Sequence, residues 1–531
     1  MNSYNMNRLI RVVSSFLILA SVVYPIFVFV IFPKWVIDDA FITFRYAENL
    51  AKFSEFTWNV GEPPIEGYTG VFLPAALAVF MRFGFDPINV SRAIGVFSFF
   101  LGWLMLFLSL KLLKSDKFVF GIILLLYSTA PILFTHASSG LETMLFVASI
   151  LASSYFLLRF LLRGGGAPLF LSLLFTSLVR PEGVALAGFF TVAAALYEFK
   201  QRRENLKSFI GSFAVFYFLL ALVYFLWRLN YYHAFLPNTY YAKSDVGFSV
   251  DILIDMFRFL RGNFALPILA GIALVLPEID WFSARLKRRE GGFWESNILY
   301  VFLPIAAFAA LLMLFYARSH LTTNFSERFY TSLMPAMWLG LVFAFNFGFT
   351  VLNYIKVNKK LGYKLAIFLF FVLSSYQILF NAAKLKNEIT FANDEKTEKE
   401  SQHYLAGEFL QKNLLPTDWV VIYLDAGAVP YFSKIKAVDF GALNDPVLAR
   451  GKLSSKERID YFYSKNPAAI FITSSSLERV ESDKEAMAIA GDPRFRGYAL
   501  ARKYPSPFAY RYPAINHQLL FLRNDIYSKL K

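Results

Sequence analysis

Two adjacent carboxylates, Asp38 and Asp39, stand directly behind the first long apolar run of this 531-residue chain. Residues 12–32 carry no charge and are long enough to cross a bilayer. Arg8 and Arg11 precede them, which places the N-terminus in the cytoplasm and brings the chain out on the opposite face at Pro33–Phe41. A carboxylate at a membrane interface, beside an apolar wall, is placed to take a proton from a hydroxyl that attacks a lipid-held substrate. Capping of a helix that starts near Ala40 is the plainer role for Asp39, but a cap needs one acidic residue and here there are two.

Other ionisable and polar side chains gather in four further stretches: His136-Ala-Ser-Ser-Gly-Leu-Glu142-Thr143, Arg180-Pro-Glu182-Gly183, Arg228 to Lys243, and Glu327-Arg328-Phe329-Tyr330. Arg45 follows Asp38 by two helical turns and could face the same cavity, or be paired or solvated. Arg180 with Glu182 can be read as a salt bridge between helix ends. Tyr231-Tyr232 and Tyr240-Tyr241 suit either an interfacial aromatic belt or sugar stacking. His136 has no partner at metal-ligand spacing, and there is no phosphate loop, H-x-x-x-H or nucleophile-elbow pattern. Without cysteine, disulfides, thiol nucleophiles and thiolate metal sites are excluded.

The elements that must hold these groups are membrane spans. The chain is 57% hydrophobic, and the excess lies in long runs. Its net charge of +15 would suit nucleic acid, but the Lys and Arg residues cluster in short loops that fix topology, so no nucleic-acid partner is expected. With Lys111–Lys117, Arg159–Arg163, Lys200–Lys207, Arg285–Arg289 and Lys356–Lys364 in the cytoplasm, about eleven spans follow. They are the first run and segments near 91–110, 118–135, 143–158, 168–179, 184–199, 209–227, 264–277, 297–316, 330–350 and 364–383. Residues 70–85, short and carrying Pro74 and Arg82, read as a helix at the outer interface within an outer loop 33–90. This map, drawn from charge alone, puts all five polar stretches on one outer side, where ionisable groups at span ends are functional candidates. Residues 384–531 alternate strand-length apolar runs (419–424, 436–440, 469–473) with helical stretches (398–413, 454–464), which predicts an extracytoplasmic α/β domain after a membrane domain over 1–383. Asp425 and Asp439 at strand ends invite a nucleotide site, but no glycine-rich loop supports one, and Asp425-Ala-Gly427 reads as a turn.

Asp38-Asp39-Ala-Phe-Ile-Thr-Phe-Arg-Tyr-Ala, followed by Trp58-Asn59-Val-Gly61-Glu62 and Glu66-Gly-Tyr-Thr69, resembles the start of the polytopic GT-C glycosyltransferases, and within them the AftB-type arabinofuranosyltransferase group. Ser139–Thr143, Arg180–Gly183, Leu236-Pro-Asn238-Thr239 with Ala242-Lys243, Arg328-Phe329, Asp425–Ala428 with Pro430-Tyr431, and Gly441–Pro446 extend the resemblance in order to about residue 450. One departure is Gly70, where Asn or Ser is expected. The resemblance implies a GT-C-like helical membrane protein of the cell membrane, with a polyprenyl-phosphate sugar as donor. It implies inverting transfer on the outer face to a cell-envelope glycan, a lipid or a protein, with membrane lipid as a further partner. Asp38 or Asp39 would be the general base. Arg180, Arg228, Lys243 and Arg328 are candidates to neutralise the leaving phosphate. Glu142 and Glu182 would orient those cations or the acceptor, and Arg45, Tyr232 and Asn238 are further substrate-binding candidates. The resemblance fixes no cofactor, since some GT-C relatives use a divalent cation and others do not. A divalent cation, magnesium or manganese, is left open, with Asp38 and Asp39 its ligands if there is one. The rival readings are a flippase or transporter of lipid-linked sugar, and a GT-C transferase that modifies protein or lipid A. A transporter would carry repeats and charges at mid-membrane, whereas this chain shows no repeat and its spans are nearly free of charge at mid-depth.

Overall fold

The computed structural model describes residues 3–115, 117–243, 247–275, 299–319, 321, 324–354, 357–394, 401–505 and 517–531. It is a layer of long apolar helices carrying a five-stranded sheet domain on one side. The basic loop Arg285–Arg289 lies outside the described residues, as do residue 116, the first residue of the Lys356–Lys364 loop, residues 276–277 and 297–298 of two expected spans, and residues 398–400 of an expected helix.

Six helices among the described residues are long and apolar enough to cross a membrane: Arg11–Ile31, Pro87–Leu112, Thr143–Arg163, Glu182–Gln201, Arg203–Tyr232 and Leu299–Tyr316. A seventh results if Lys117–Ser128 and Pro131–Ser138 form one span. That pair, expected as a single helix, is bent by 50°. Pro131 causes the break: it has no N–H to give and biases the residue before it away from the helical region, where Ala130 is extended. The expected span near 168–179 is helix Gly166–Val179, 14 residues or roughly 21 Å long. Further expected spans fall on helices Val250–Val275, Met334–Tyr354 and Val357–Asp394. The last of these runs on through residue 383, where the sequence suggests the domain boundary. Val12, Phe16, Leu19, Val23, Phe27 and Val30 of the first span are all more than half exposed, a face that suits hydrocarbon and not water.

Helix Phe72–Arg82 covers the stretch expected at the interface, and its 11 residues reach only about 16 Å. It buries Leu73, Leu77 and Ala78 against Phe41, Phe44 and Ala47 of helix Asp38–Phe53. The latter helix is buried from Ala40 to Asn49, between the apolar layer and the sheet domain.

The sheet consists of β1 (Trp419–Tyr423), β2 (Lys436–Asp439), β3 (Ala469–Ser474), β4 (Tyr498–Tyr504) and β5 (His517–Arg523), in the order β2-β1-β3-β5-β4. β2, β1 and β3 are parallel, while β5 and β4 add on antiparallel, with Val421 opposite Ile470 and Ile470 opposite Phe521. The central strands read as unbroken apolar runs because both faces are covered, one by Ala406 and Leu410, the other by Phe462 and Ile489. The three strands and two helices expected from the sequence are present; β4 and β5 were not anticipated. The carboxyl ends of β1 and β2 point their loops, Leu424–Ala428 and Phe440–Asp445, at helix Asp38–Phe53 and the loop after it. The Asp439 carboxylate accepts from the Gly441 N–H, the Asn444 N–H and the Asn444 amide, so it closes a turn.

Candidate active site

The five polar stretches converge on the side that carries the sheet domain. Helix Asp38–Phe53 begins at the aspartate pair after an extended Ile37, and no side chain caps it, so Asp39 is not a cap. Both carboxylates lie in the first turn, where the helix dipole favours negative charge. The Ile37 N–H donates to the Ser139 carbonyl at 3.2 Å, which lays the Ser139–Glu142 turn alongside. Glu142 then sits at the N-cap of helix Thr143–Arg163, buried and facing two arginines.

Arg180 ends helix Gly166–Val179 and donates to Glu142 Oε1 at 2.7 Å and to Glu182 Oε1 at 2.8 Å. Burial opposes its charge, and the carboxylates of Glu182 and Glu142 outweigh that and raise it, so the guanidinium stays protonated. Gly70 runs against the backbone just before Arg180: a Cβ there would lie 1.8 Å from the Val179 carbonyl oxygen. The Asn or Ser expected at this position has no room. Arg328 follows a tight turn whose Ser326 and Glu327 have left-handed backbones (φ 40° and 53°), and His136 supports that turn through the Ser326 carbonyl at 3.0 Å. Its Nη1 lies 3.4 Å from Asp39 Oδ2, and its Nη2 lies 3.5 Å from Glu142 Oε1. Lys243 places Nζ 5.4 Å from the centre of the Phe329 ring, beside the same groups. Among the described residues no carboxylate lies within ion-pair distance of it. Burial, then the Arg328 charge, pushes the Lys243 ammonium down to about 8, against the opposing pull of Asp39.

The two aspartates part company here. Asp39 keeps 21% of its side chain exposed and, among the described residues, has the one long contact to Arg328. Asp38 is turned the other way: Oδ2 accepts from the Gly427 N–H and Oδ1 from the Ala428 N–H, both at 2.8 Å. Burial pushes the Asp38 carboxyl up to about 7; His403 pulls it down, Asp425 raises it further and the Ala428 N–H lowers it.

Four other candidates hold the molecule together away from this cluster. Arg45 spends its donors on the Trp58, Pro430 and Ile435 carbonyls and on Asn59 Oδ1. Arg228 is paired with Glu66 at 2.6 Å and caps the Phe235 carbonyl at 2.9 Å. Tyr232 bonds the Phe56 carbonyl and the Tyr68 hydroxyl, and Tyr231 accepts the Phe56 N–H. The Asn238 amide donates to the Ala442, Leu443 and Asp445 carbonyls. The Asn59 amide exchanges two bonds with the Ala437 backbone, as a neighbouring strand would, and so seals the β2 edge.

The cluster is thus Asp39, Glu142, Glu182, Arg180, Arg328 and Lys243, joined by Tyr316, whose hydroxyl lies 3.4 Å from Glu182. Sequence reasoning missed Tyr316, which sits at the end of an unbroken apolar helix with no local signal to mark it. A divalent cation does not fit the aspartate pair: both Asp38 oxygens face N–H donors, and Asp39 faces a guanidinium. Among the described residues no three acidic or histidine side chains converge on one point.

A family described as "Domain of unknown function (DUF8728)" matches residues 388–519, essentially the sheet domain. No curated protein matches this chain. Among solved structures it is similar to ArnT from Cupriavidus metallidurans bound to undecaprenyl phosphate, at 14% identity and a TM-score of 0.53, covering 98% of both chains. It is also similar to the archaeal oligosaccharyltransferase AglB from Archaeoglobus fulgidus in complex with an inhibitory peptide and a dolichol-phosphate. There the identity is 12% and the TM-score 0.54, over 97% of this chain and 76% of the other. At such identities the likeness is one of fold alone: a GT-C-like fold, which in this chain is a layer of apolar helices with a C-terminal sheet domain.

Proposed function

We propose that this chain is a multi-pass membrane glycosyltransferase that moves a sugar from a polyprenyl-phosphate donor to an acceptor hydroxyl. The observation that carries the reading is the partly exposed Asp39 beside Arg328 and a half-buried Lys243, which pairs with no carboxylate among the described residues, on a GT-C-like fold. The acceptor oxygen attacks the anomeric carbon from the face opposite the phosphate, and its proton passes to Asp39. The bond from the anomeric carbon to the phosphate oxygen breaks as the new one forms, which inverts the centre and releases the lipid phosphate. Arg328 and Lys243 neutralise the charge that grows on that phosphate, in a site where low dielectric strengthens the effect. Glu142 and Glu182 hold Arg180 and Arg328 in place. The solved neighbours are bound to undecaprenyl phosphate and dolichol-phosphate, which supports a lipid-phosphate donor here. The sheet domain and the charged cluster lie outside the cytoplasm in this reading, with the N-terminus inside. The motif resemblance alone favours a pentose and a cell-envelope glycan; a protein or lipid acceptor rests on the same chemistry.

Asp38 has the pKa of a good base, about 7, but both of its oxygens already accept backbone N–H groups, so Asp39 is the assignment. The test is transfer by purified protein from a panel of labelled polyprenyl-phosphate sugars to glycan, lipid and peptide acceptors. A labelled product from one donor supports the reading. Binding of donor with no transfer to any acceptor would turn it toward the transporter alternative.

A further inference from the structure

We propose that the sheet domain is a positioning part of the catalytic machinery, acting through Asp38 and Gly427 to fix the helix that carries Asp39. This rests on the reading of Asp39 as the base and deepens it.

Asp38 and Arg45 are seven residues apart and so lie on one face of helix Asp38–Phe53. Both grip the same short helix of the sheet domain, Ala428–Ser433. Asp38 takes the N–H groups of Gly427 and Ala428 at its start. Arg45 donates to the Pro430 carbonyl within it and to the Ile435 carbonyl just beyond its end. Between these two points the rings of Phe41 and Phe44 pack on Tyr431 at 5.3 and 6.2 Å, and Phe41 packs on Phe432 at 5.0 Å. The contact is therefore polar at both ends and aromatic in the middle, and it runs along two turns of the catalytic helix.

Asp39 is rotated about 100° from Asp38 and emerges on a different face. Its one polar contact among the described residues, to Arg328 at 3.4 Å, is too long to set its orientation. Its position is set by the backbone, and the backbone is set by the clamp. Gly427 makes the clamp close. A Cβ there would lie 1.9 Å from the Asp38 carbonyl oxygen and 2.7 Å from Asp38 Oδ2. The left-handed Leu424 and Asp425 (φ 65° and 51°) turn the chain to bring that glycine in. Gly427→Ala consequently pushes the two helices apart without altering any side chain of the charged cluster around Asp39.

The experiment is amide hydrogen exchange of the full-length protein in detergent, together with transfer kinetics, for Gly427→Ala and Asp38→Asn. Asp38→Asn keeps the size of the side chain and one acceptor oxygen, and serves if the alanine variant does not fold. The expected result is faster exchange across Ala40–Ala47, with the apolar helices unchanged. A misplacement of about 1 Å lowers kcat on the order of 10²-fold, with the donor KM within about twofold of wild type. Wild-type exchange across this helix in both variants would overturn the proposal. So would an Asp38→Asn variant that loses turnover as fully as Asp39→Asn while exchange is unchanged, since Asp38 would then be the base. Should the wild-type protein transfer from no donor, the proposed reaction fails, and the exchange result alone decides whether the clamp exists.

Discussion

Asp39 Oδ2 and Arg328 Nη1 lie 3.4 Å apart, closer than any other cation stands to that carboxylate among the described residues. The spacing is loose for a salt bridge, and it leaves the Asp39 oxygens able to accept a proton from an incoming hydroxyl. Asp39→Asn keeps the shape and removes the basicity. We expect kcat to fall by about 10²–10⁴-fold, with donor binding retained. Single-turnover transfer with labelled donor checks this, and an Asp39→Asn enzyme with near wild-type turnover would remove Asp39 from the mechanism.

Lys243 gives a pH dependence with a definite sign. Its ammonium is pushed down to about 8, chiefly by burial and then by Arg328, while Asp39 and Glu142 pull it up and Arg180 lowers it. The charge is present below that pH and is lost as pH rises through it. A bound phosphate favours the charged form, so donor binding weakens above about pH 8. The donor KM should rise on that limb, and Lys243→Arg, which holds its charge, should flatten it. A KM that does not vary between about pH 7 and 9 in the wild type would count against Lys243 as a phosphate ligand.

Glu142 balances Arg180 at 2.7 Å and Arg328 at 3.5 Å, all three buried. Removing one partner of a buried pair leaves the other charge without compensation and costs about 3–5 kcal/mol. Glu142→Ala should therefore lower the thermal midpoint in detergent markedly. Adding Arg180→Met should cost less than the sum of the two single changes, because the pair is removed together. Strict additivity would mean that the two do not act as a pair.

Much of this site could be read from residue types and charge. The basic loops placed five polar stretches on one side, and Glu142, Arg180, Glu182, Lys243 and Arg328 do meet there with Asp39. Helix direction was legible too: seven residues put Arg45 on the face of Asp38. Which face met the charged cluster was not, because that depends on what the sheet domain covers, and the Pro430 and Ile435 carbonyls that Arg45 meets are nearly 400 residues away in sequence. Asn238 was hidden for the same reason, since its partners are carbonyls, which no residue type announces. Strand β4 (YALARKY) escaped because it is an edge strand with charged residues and a register shift near Leu500. Gly70, a departure from the family pattern on paper, follows from the Val179 carbonyl that fills the space a side chain would need.

Arg228 separates binding from architecture. It was a candidate for the donor phosphate, yet its Nε and Nη2 face Glu66 Oε2 at 2.7 and 2.6 Å, and Nη1 donates to the Phe235 carbonyl at 2.9 Å. Glu66 in turn accepts the Asn238 N–H at its own carbonyl, at 2.9 Å, so the pair ties the end of helix Leu219–Tyr232 to the loop that meets the sheet domain. A phosphate could reach this guanidinium only by breaking a buried ion pair, which costs about 3–5 kcal/mol. Arg228→Met should therefore lower stability and leave the donor KM of the folded enzyme unchanged. Glu66→Gln should act the same way, with the double variant less damaged than the two single losses combined. Arg328→Met is the contrasting case: its partners are spaced at 3.4 and 3.5 Å, so a phosphate can take them over, and its loss should raise the donor KM and lower kcat together. Equilibrium binding of labelled polyprenyl phosphate to both variants, beside their thermal midpoints, decides between the two roles; weaker binding by Arg228→Met at unchanged stability would return Arg228 to the donor site.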